Sequence, residues 1–277
     1  MADQQIQVPG GLVVFPSHGV VQADTAQALM DMRSFTEAQG LKGIGWQMVP
    51  GSLVEKARND ACRHALRSGA GWLFMLDSDM VPNPDCLIRL LQTAYGTHPH
   101  ADVVGGWCGL RGDLALPTID TGTGTWESHY PGSGVLEVMR TGGACLLIKR
   151  HVLERMGDPW FRMRVPARPV DFMAEIDNFC RIKFDGRNPF RGLPGEPWEK
   201  LQVCAQQDPS SHGQWTPAEV GEDSGFCDRA KLLGFRLFVN TDVEVGHKDS
   251  RILKGSDHRA AVDKMKLQQR QVVGLLS

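Results

Sequence analysis

Three groups of residues in this chain carry side chains suited to chemistry. Asp77 and Asp79 stand one residue apart in WLFMLDSDMVP, where an apolar run ends abruptly. Glu222 and Asp223 are adjacent in GEDSGF, and His247 stands in VEVGHKDS. Two close carboxylates repel each other and favour a partner. A divalent cation is one such partner, and it in turn attracts phosphate oxygens. About one or two D-x-D triplets arise by chance in a chain of this aspartate content, so the triplet alone is weak. Its placement is stronger. Apolar and aromatic residues lead into it and a proline turn follows. Alternation along a strand points both carboxylates the same way, within reach of one cation. The bland alternative is a solvated turn.

The elements that must position these groups are legible as a rhythm. GLVVFPSHG (11–19) reads as a buried strand ending at Pro16, and 23–39 as a helix with Asp24 as N-cap and Gly40 as stop. GIGWQMVPG (43–51) reads as a second strand. Ser52 and Glu55 have capping-box spacing and open a helix that runs to Gly69. A strand over 72–76 then meets the acidic pair, and 83–96 follows as a helix with Asn83 as cap, Pro84 at its first position and Gly96 as stop. A further strand covers 102–108. Alternation of this kind predicts a doubly wound, mostly parallel sheet, and ligands in such sheets bind beyond the carboxyl ends of the strands. Next come a strand, a glycine break and a strand over 134–150, a short helix to Gly157, a helix over 222–234 and a last strand or strand pair over 235–247. Residues 158–218 are rich in Pro, Trp, Phe and Arg, the pattern of a long functional lid or wall. The tail from 248 is basic, and its second half reads as helical.

Composition narrows the class. At 277 residues and 42% hydrophobic content the chain is long enough for one large α/β domain or two small ones. A formal net charge of -2 gives no global pull toward nucleic acid or an anionic membrane. The N-terminus shows neither a basic nor an apolar leader region, and no apolar run approaches membrane-spanning length, so a cytoplasmic protein without a membrane partner is expected. Seven scattered cysteines without C-x-x-C spacing read as buried free thiols rather than disulfides or a zinc site.

In series, ARND, WLFMLDSDMVPNPDCLIRLL, TGGACLLIKR, GEDSGFCDRAKLLGF and the late GH resemble the nucleotide-sugar glycosyltransferases of the GT-A fold, closest to glycosyltransferase family 2. The resemblance covers roughly 11–247. It implies a Rossmann-like α/β sandwich with a central, mostly parallel mixed sheet between helices. The catalytic domain would span 1–247, with a nucleotide-binding half over about 11–110, a sugar and acceptor half over 111–247 and a basic C-terminal tail as a possible flap.

The same resemblance assigns roles. Asp79 would ligate a divalent metal directly, and Asp77 would bind the metal through water or the donor ribose. His247 would complete the metal site, and an imidazole among carboxylates suits Mn²⁺ better than Mg²⁺. Pro16, Ser17 and His18 would seat the nucleotide base and ribose. Arg58 and Asn59 would face the nucleotide or steady the acidic loop. Gly142 and Gly143 would lie against the donor sugar, although a bulge between strands also explains them. Lys248, Arg251 and Lys254 would close over the diphosphate, or serve only as a solvated tail. Asp223 would be the base that takes the acceptor's proton, with Glu222 as its positioning partner. Acids in a helix's first turn also have a purely structural use. Of Trp160, Phe161, Trp198 and Trp215, two are expected in the core.

The implied function is metal-dependent transfer of a sugar from a UDP- or GDP-linked donor to a hydroxyl acceptor, whether saccharide, protein, lipid head group or hydroxylated nucleobase. Arginines at 162, 164, 168, 181, 187 and 191 permit a polyanionic acceptor, a case that interleaved acids weaken. One alternative is a nucleotidyltransferase, which usually carries a glycine-rich basic loop after its first strand; FPSHGVVQAD lacks one. The other is a non-catalytic binder of nucleotide-sugars or glycans.

Overall fold

The computed structural model describes residues 7–17, 21–51, 53–109, 117–122, 130–162, 221–248 and 252–253. The chain forms two compact units, Met1–Phe161 with Phe226–Ser277, and Arg162–Gly225. Outside the described residues fall His18, Arg251, Lys254, Ser52 of the expected capping box, Trp198, Trp215, the arginines from 164 to 191, most of the 158–218 segment and the expected tail helix.

In the first unit the strands are β1 (Gly11–Ser17), β2 (Ile44–Pro50), β3 (Trp72–Leu76), β4 (Met80–Pro82), β5 (Val103–Cys108), β6 (Ile119–Asp120), β7 (Val135–Val138), β8 (Arg140–Thr141), β9 (Cys145–Lys149), β10 (Leu237–Lys248) and β11 (Ile252–Leu253). The helices are α1 (Ala23–Ala38), α2 (Val54–Arg67), α3 (Cys86–Gln92) and α4 (Arg150–Met156), with α5 (Glu222–Leu232) beginning in the second unit.

Among the described residues one sheet runs β11-β10-β5-β9-β3-β1-β2, with β4 and β7 pairing to β10. The register makes β10, β5, β3, β1 and β2 parallel, and β9 runs against its neighbours β5 and β3. This is the α/β arrangement expected of a GT-A-like fold: a mixed, mainly parallel sheet flanked by helices.

Strict alternation splits the apolar side chains between two faces. Leu12, Val14, Leu73, Met75, Leu146 and Ile148 face one core, with Ala57, Ala61 and Ala65 of α2 and Val152 and Leu153 of α4. Val13, Phe15, Trp72, Phe74, Leu76 and Leu147 face the other, with Met32 of α1 and Leu87, Leu90 and Leu91 of α3. The near-continuous apolar strands of the sequence are therefore strands covered on both sides. Among the described residues, Cys62, Cys86, Cys108, Cys145 and Cys227 are buried thiols outside any disulfide. No helix among the described residues is long and apolar enough to cross a membrane.

Several local expectations change. Residues 80–82, expected as a turn, form β4, and the Asp77–Met80 turn closes with Met80 N–H donating to the Asp77 carbonyl at 3.1 Å. Helix α3 starts at Cys86 with Asp85, not Asn83, at its cap, and it widens into a π-turn over Thr93–Thr97. Gln22 rather than Asp24 caps α1; Asp24 sits in the first turn, where the helix dipole favours an acid. Strand β1 continues through Pro16 to Ser17.

Candidate active site

Strand direction decides what meets what. The carboxyl ends of β1, β3, β5 and β10 and the start of the opposed β9 lie at one end of the sheet. Ser17, Asp77, Gly109, Ala144 and His247 are therefore gathered there from distant parts of the chain.

Asp79 is held by backbone on both sides of its turn. Its carbonyl accepts the N–H of Lys248 at 2.8 Å, and the next residue, Met80, pairs with His247 in the β4–β10 ladder. That register brings His247 Nε2 to 3.3 Å from Asp79 Oδ2. The other ring nitrogen, Nδ1, lies 2.9 Å from the Gly109 carbonyl. A carbonyl only accepts, so Nδ1 carries a proton. In the neutral ring, Nε2 then turns its lone pair toward an anionic oxygen. Two lone pairs at that separation repel unless a proton or a cation lies between them. The described part of this site is therefore a carboxylate and an imidazole joined through a shared proton or a cation, with the ring's far nitrogen on a backbone carbonyl.

Asp77 takes a different partner. Its N–H donates to the Ala144 carbonyl at 2.9 Å, and its Oδ2 accepts from Arg58 Nη2 at 2.7 Å. The Arg58 side chain is only 4% exposed, and its guanidinium lies over the Phe161 ring at 5.8 Å. Strand β3 ends before the pair, so the two acids straddle a turn rather than alternate along a strand. Asp77 binds an arginine and Asp79 faces a histidine. Among the described residues, no three His, Cys, Asp or Glu side chains cluster so as to hold a metal ion.

The other residues singled out by sequence fall as follows. Asn59 is spent on backbone. Its Oδ1 accepts the N–H groups of Trp160 and Phe161 at 2.8 and 2.9 Å, and its Nδ2 donates to the Phe161 carbonyl at 2.6 Å. Trp160 and Phe161 are both buried in the core. Pro16 and Ser17 end β1 buried, and the Ser17 carbonyl accepts Gly51 N–H at 2.9 Å. The Lys248 ammonium reaches Asp24 on α1 at 2.5 Å. Gly142 packs on Thr118, and Gly143 on the Arg58 guanidinium. In the second unit, Glu222 and Asp223 occupy the first turn of α5, where Asp223 Oδ1 accepts the N–H of Ser224 at 2.7 Å.

Sequence reasoning passed over four successive residues of α5 that anchor the helix within the first unit. Phe226 stacks on Phe161 with ring centroids 4.6 Å apart. The Cys227 thiol donates to the Thr141 carbonyl at 3.4 Å. Asp228 accepts two bonds from Arg140, at 2.7 and 3.1 Å. Arg229 donates to the carbonyls of Pro159 and Trp160. No local pattern announces these contacts, because each partner lies far away in the chain. The Gly109 carbonyl was equally invisible, since backbone acceptors leave no residue signature.

No family model matches this chain, and no curated protein sequence matches it. Among solved structures it is similar to A197 from STIV, with a TM-score of 0.52 and 18% identity over 90% of this chain and 91% of that one. GalNAc-T7, solved with UDP, GalNAc and Mn²⁺, aligns over 94% of this chain and 48% of its own, with a TM-score of 0.47 and 10% identity. The likeness to A197 is one of fold.

Proposed function

We propose that this protein is a metal-dependent glycosyltransferase that moves a sugar from a UDP- or GDP-linked donor to a hydroxyl acceptor. The observation that carries the reading is the approach of His247 to Asp79 across the β4–β10 ladder, at the ligand-binding end of a mainly parallel sheet. The motif series beginning at ARND supports it.

A carboxylate and an imidazole nitrogen are a fitting donor pair for Mn²⁺. Asp79 and His247 would hold the ion, Asp77 would assist through water or the ribose, and donor oxygens and water would fill the other positions. Bound there, the ion neutralises the charge that gathers on a departing nucleoside diphosphate. The protein's own groups do the rest. The Gly109 carbonyl fixes the ring so that Nε2 faces the ligand. Arg58 holds the Asp77 carboxylate in place. Pro16, Ser17 and His18 would seat the nucleoside, and Lys248, once released from Asp24, and Arg251 would serve the diphosphate. Asp223 takes the proton from the acceptor hydroxyl as that oxygen attacks the anomeric carbon, with Glu222 orienting the acceptor. The transition state is oxocarbenium-like at that carbon.

Hydrolysis of UDP- and GDP-sugars in the presence of MnCl₂ tests the reading without knowledge of the acceptor. Turnover is expected to need the metal and to vanish in Asp79→Ala. Turnover equal to wild type in that variant refutes the metal role. A protein that binds nucleotide-sugars yet never hydrolyses them is the non-catalytic module instead.

A further inference from the structure

We propose that Gly143 is a positioning residue for the acidic pair, leaving open the space through which the Arg58 guanidinium reaches Asp77. This inference rests on the functional reading above and deepens it.

The backbone does not require glycine here. Gly143 is not among the positive-φ glycines of the described residues. Its backbone therefore lies outside the left-handed region that favours glycine. Space is the obstacle. A methyl group at 143 would overlap Arg58 Nη1, lie 2.6 Å from Cζ and lie 3.0 Å from Nη2. Nη2 is the atom that donates to Asp77 Oδ2 at 2.7 Å.

The guanidinium is the far end of a flexible side chain, so the methyl displaces it rather than the sheet. Arg58 has little slack to absorb that displacement. Its side chain is nearly buried and lies over Phe161. The same segment also holds the Asp77 backbone, because the Ala144 carbonyl accepts the Asp77 N–H at 2.9 Å. Residues 143 and 144 thus govern Asp77 from two sides: the carbonyl of one sets its main chain, and the bareness of the other admits the arginine that orients its carboxylate. In this assignment glycine at 143 serves a protein side chain rather than the close approach of a sugar.

The test is a double-mutant cycle of Gly143→Ala and Arg58→Ala. Gly143→Ala is expected to fold and to raise the MnCl₂ concentration for half-maximal donor hydrolysis, or lower kcat, by roughly 10- to 100-fold, the range for losing a partner that orients a ligating group. In the Arg58→Ala background the same substitution is expected to change neither by more than about twofold, since nothing remains to displace. A full-sized loss in that background means that the glycine faces the donor directly, and overturns the proposal. A crystal structure of Gly143→Ala gives a readout independent of turnover. Arg58 Nη2 beyond hydrogen-bond distance of Asp77 supports the proposal, and an intact pair overturns it, even if wild type proves inactive and the glycosyltransferase reading fails. Should Gly143→Ala not fold, the double variant is expected to recover the fold of Arg58→Ala. Failure of that recovery also overturns the proposal.

Discussion

Replacing Asn59 with alanine separates a scaffold role from a ligand role at the ARND motif. The side chain is 7% exposed and makes three hydrogen bonds, two accepted from the N–H groups of Trp160 and Phe161 and one donated to the Phe161 carbonyl. Truncation strands two buried donors and one buried acceptor. Each such orphan costs about 1–3 kcal/mol. At the low end for each, because the vacated volume admits water, the sum is about 3 kcal/mol. For a chain of this size that lowers Tm by roughly 6–12 °C, at about 2–4 °C per kcal/mol. Thermal unfolding followed by circular dichroism reads the change. A Tm within about 2 °C of wild type refutes the reasoning. If Tm holds and the donor KM rises instead, Asn59 contacts the nucleotide, as the sequence resemblance implies.

Two further outcomes follow from the same geometry. Burial pushes the Tyr95 phenol up to about 12. The folded state therefore favours the neutral phenol, and the stability this represents is complete below the unfolded value near 10 and lost as pH rises toward 12. Ultraviolet titration of the folded protein should show Tyr95 ionising only near the top of that window; ionisation near 10 contradicts its burial. Arg140→Ala removes the two-pronged bond to Asp228, in which both side chains remain partly exposed at 43% and 31%. Screening holds the loss to about 1 kcal/mol, a fall in Tm of about 2–4 °C. Arg140→Lys should recover only part of it, because a single ammonium cannot reproduce the fork. Full recovery by lysine would show that charge alone accounts for what Arg140 contributes through Asp228.

Much of the fold was readable because its strands are short, apolar and separated by well-marked helices. The acidic pair stood out for the same reason: an apolar strand ends there, and alternation predicts the rest of the sheet. What escaped notice was the set of features made by pairing across the chain. Three residues after the pair form β4 only because β10 lies beside them, and MVP carries too little pattern to reveal that alone. The reversed β9 between β5 and β3 is set by how the chain returns, not by residue type. At the site, Asp79 and His247 could be named separately, yet their 3.3 Å approach comes from the β4–β10 register that sets His247 opposite Met80. Asn59 is the reverse case. Its place beside Arg58 invites a ligand role, whereas its side chain binds a backbone about a hundred residues away.

Strand β10 is the sheet's hub, pairing with β4, β5, β7 and β11 among the described residues. A ribosome that has released only the first 236 residues has made Asp79 without the strand that carries His247. Meanwhile β5 presents a bare edge, the kind of surface that recruits chaperones or sticks to other nascent chains. The two halves of the candidate centre thus cannot meet until β10 has emerged and paired with β4.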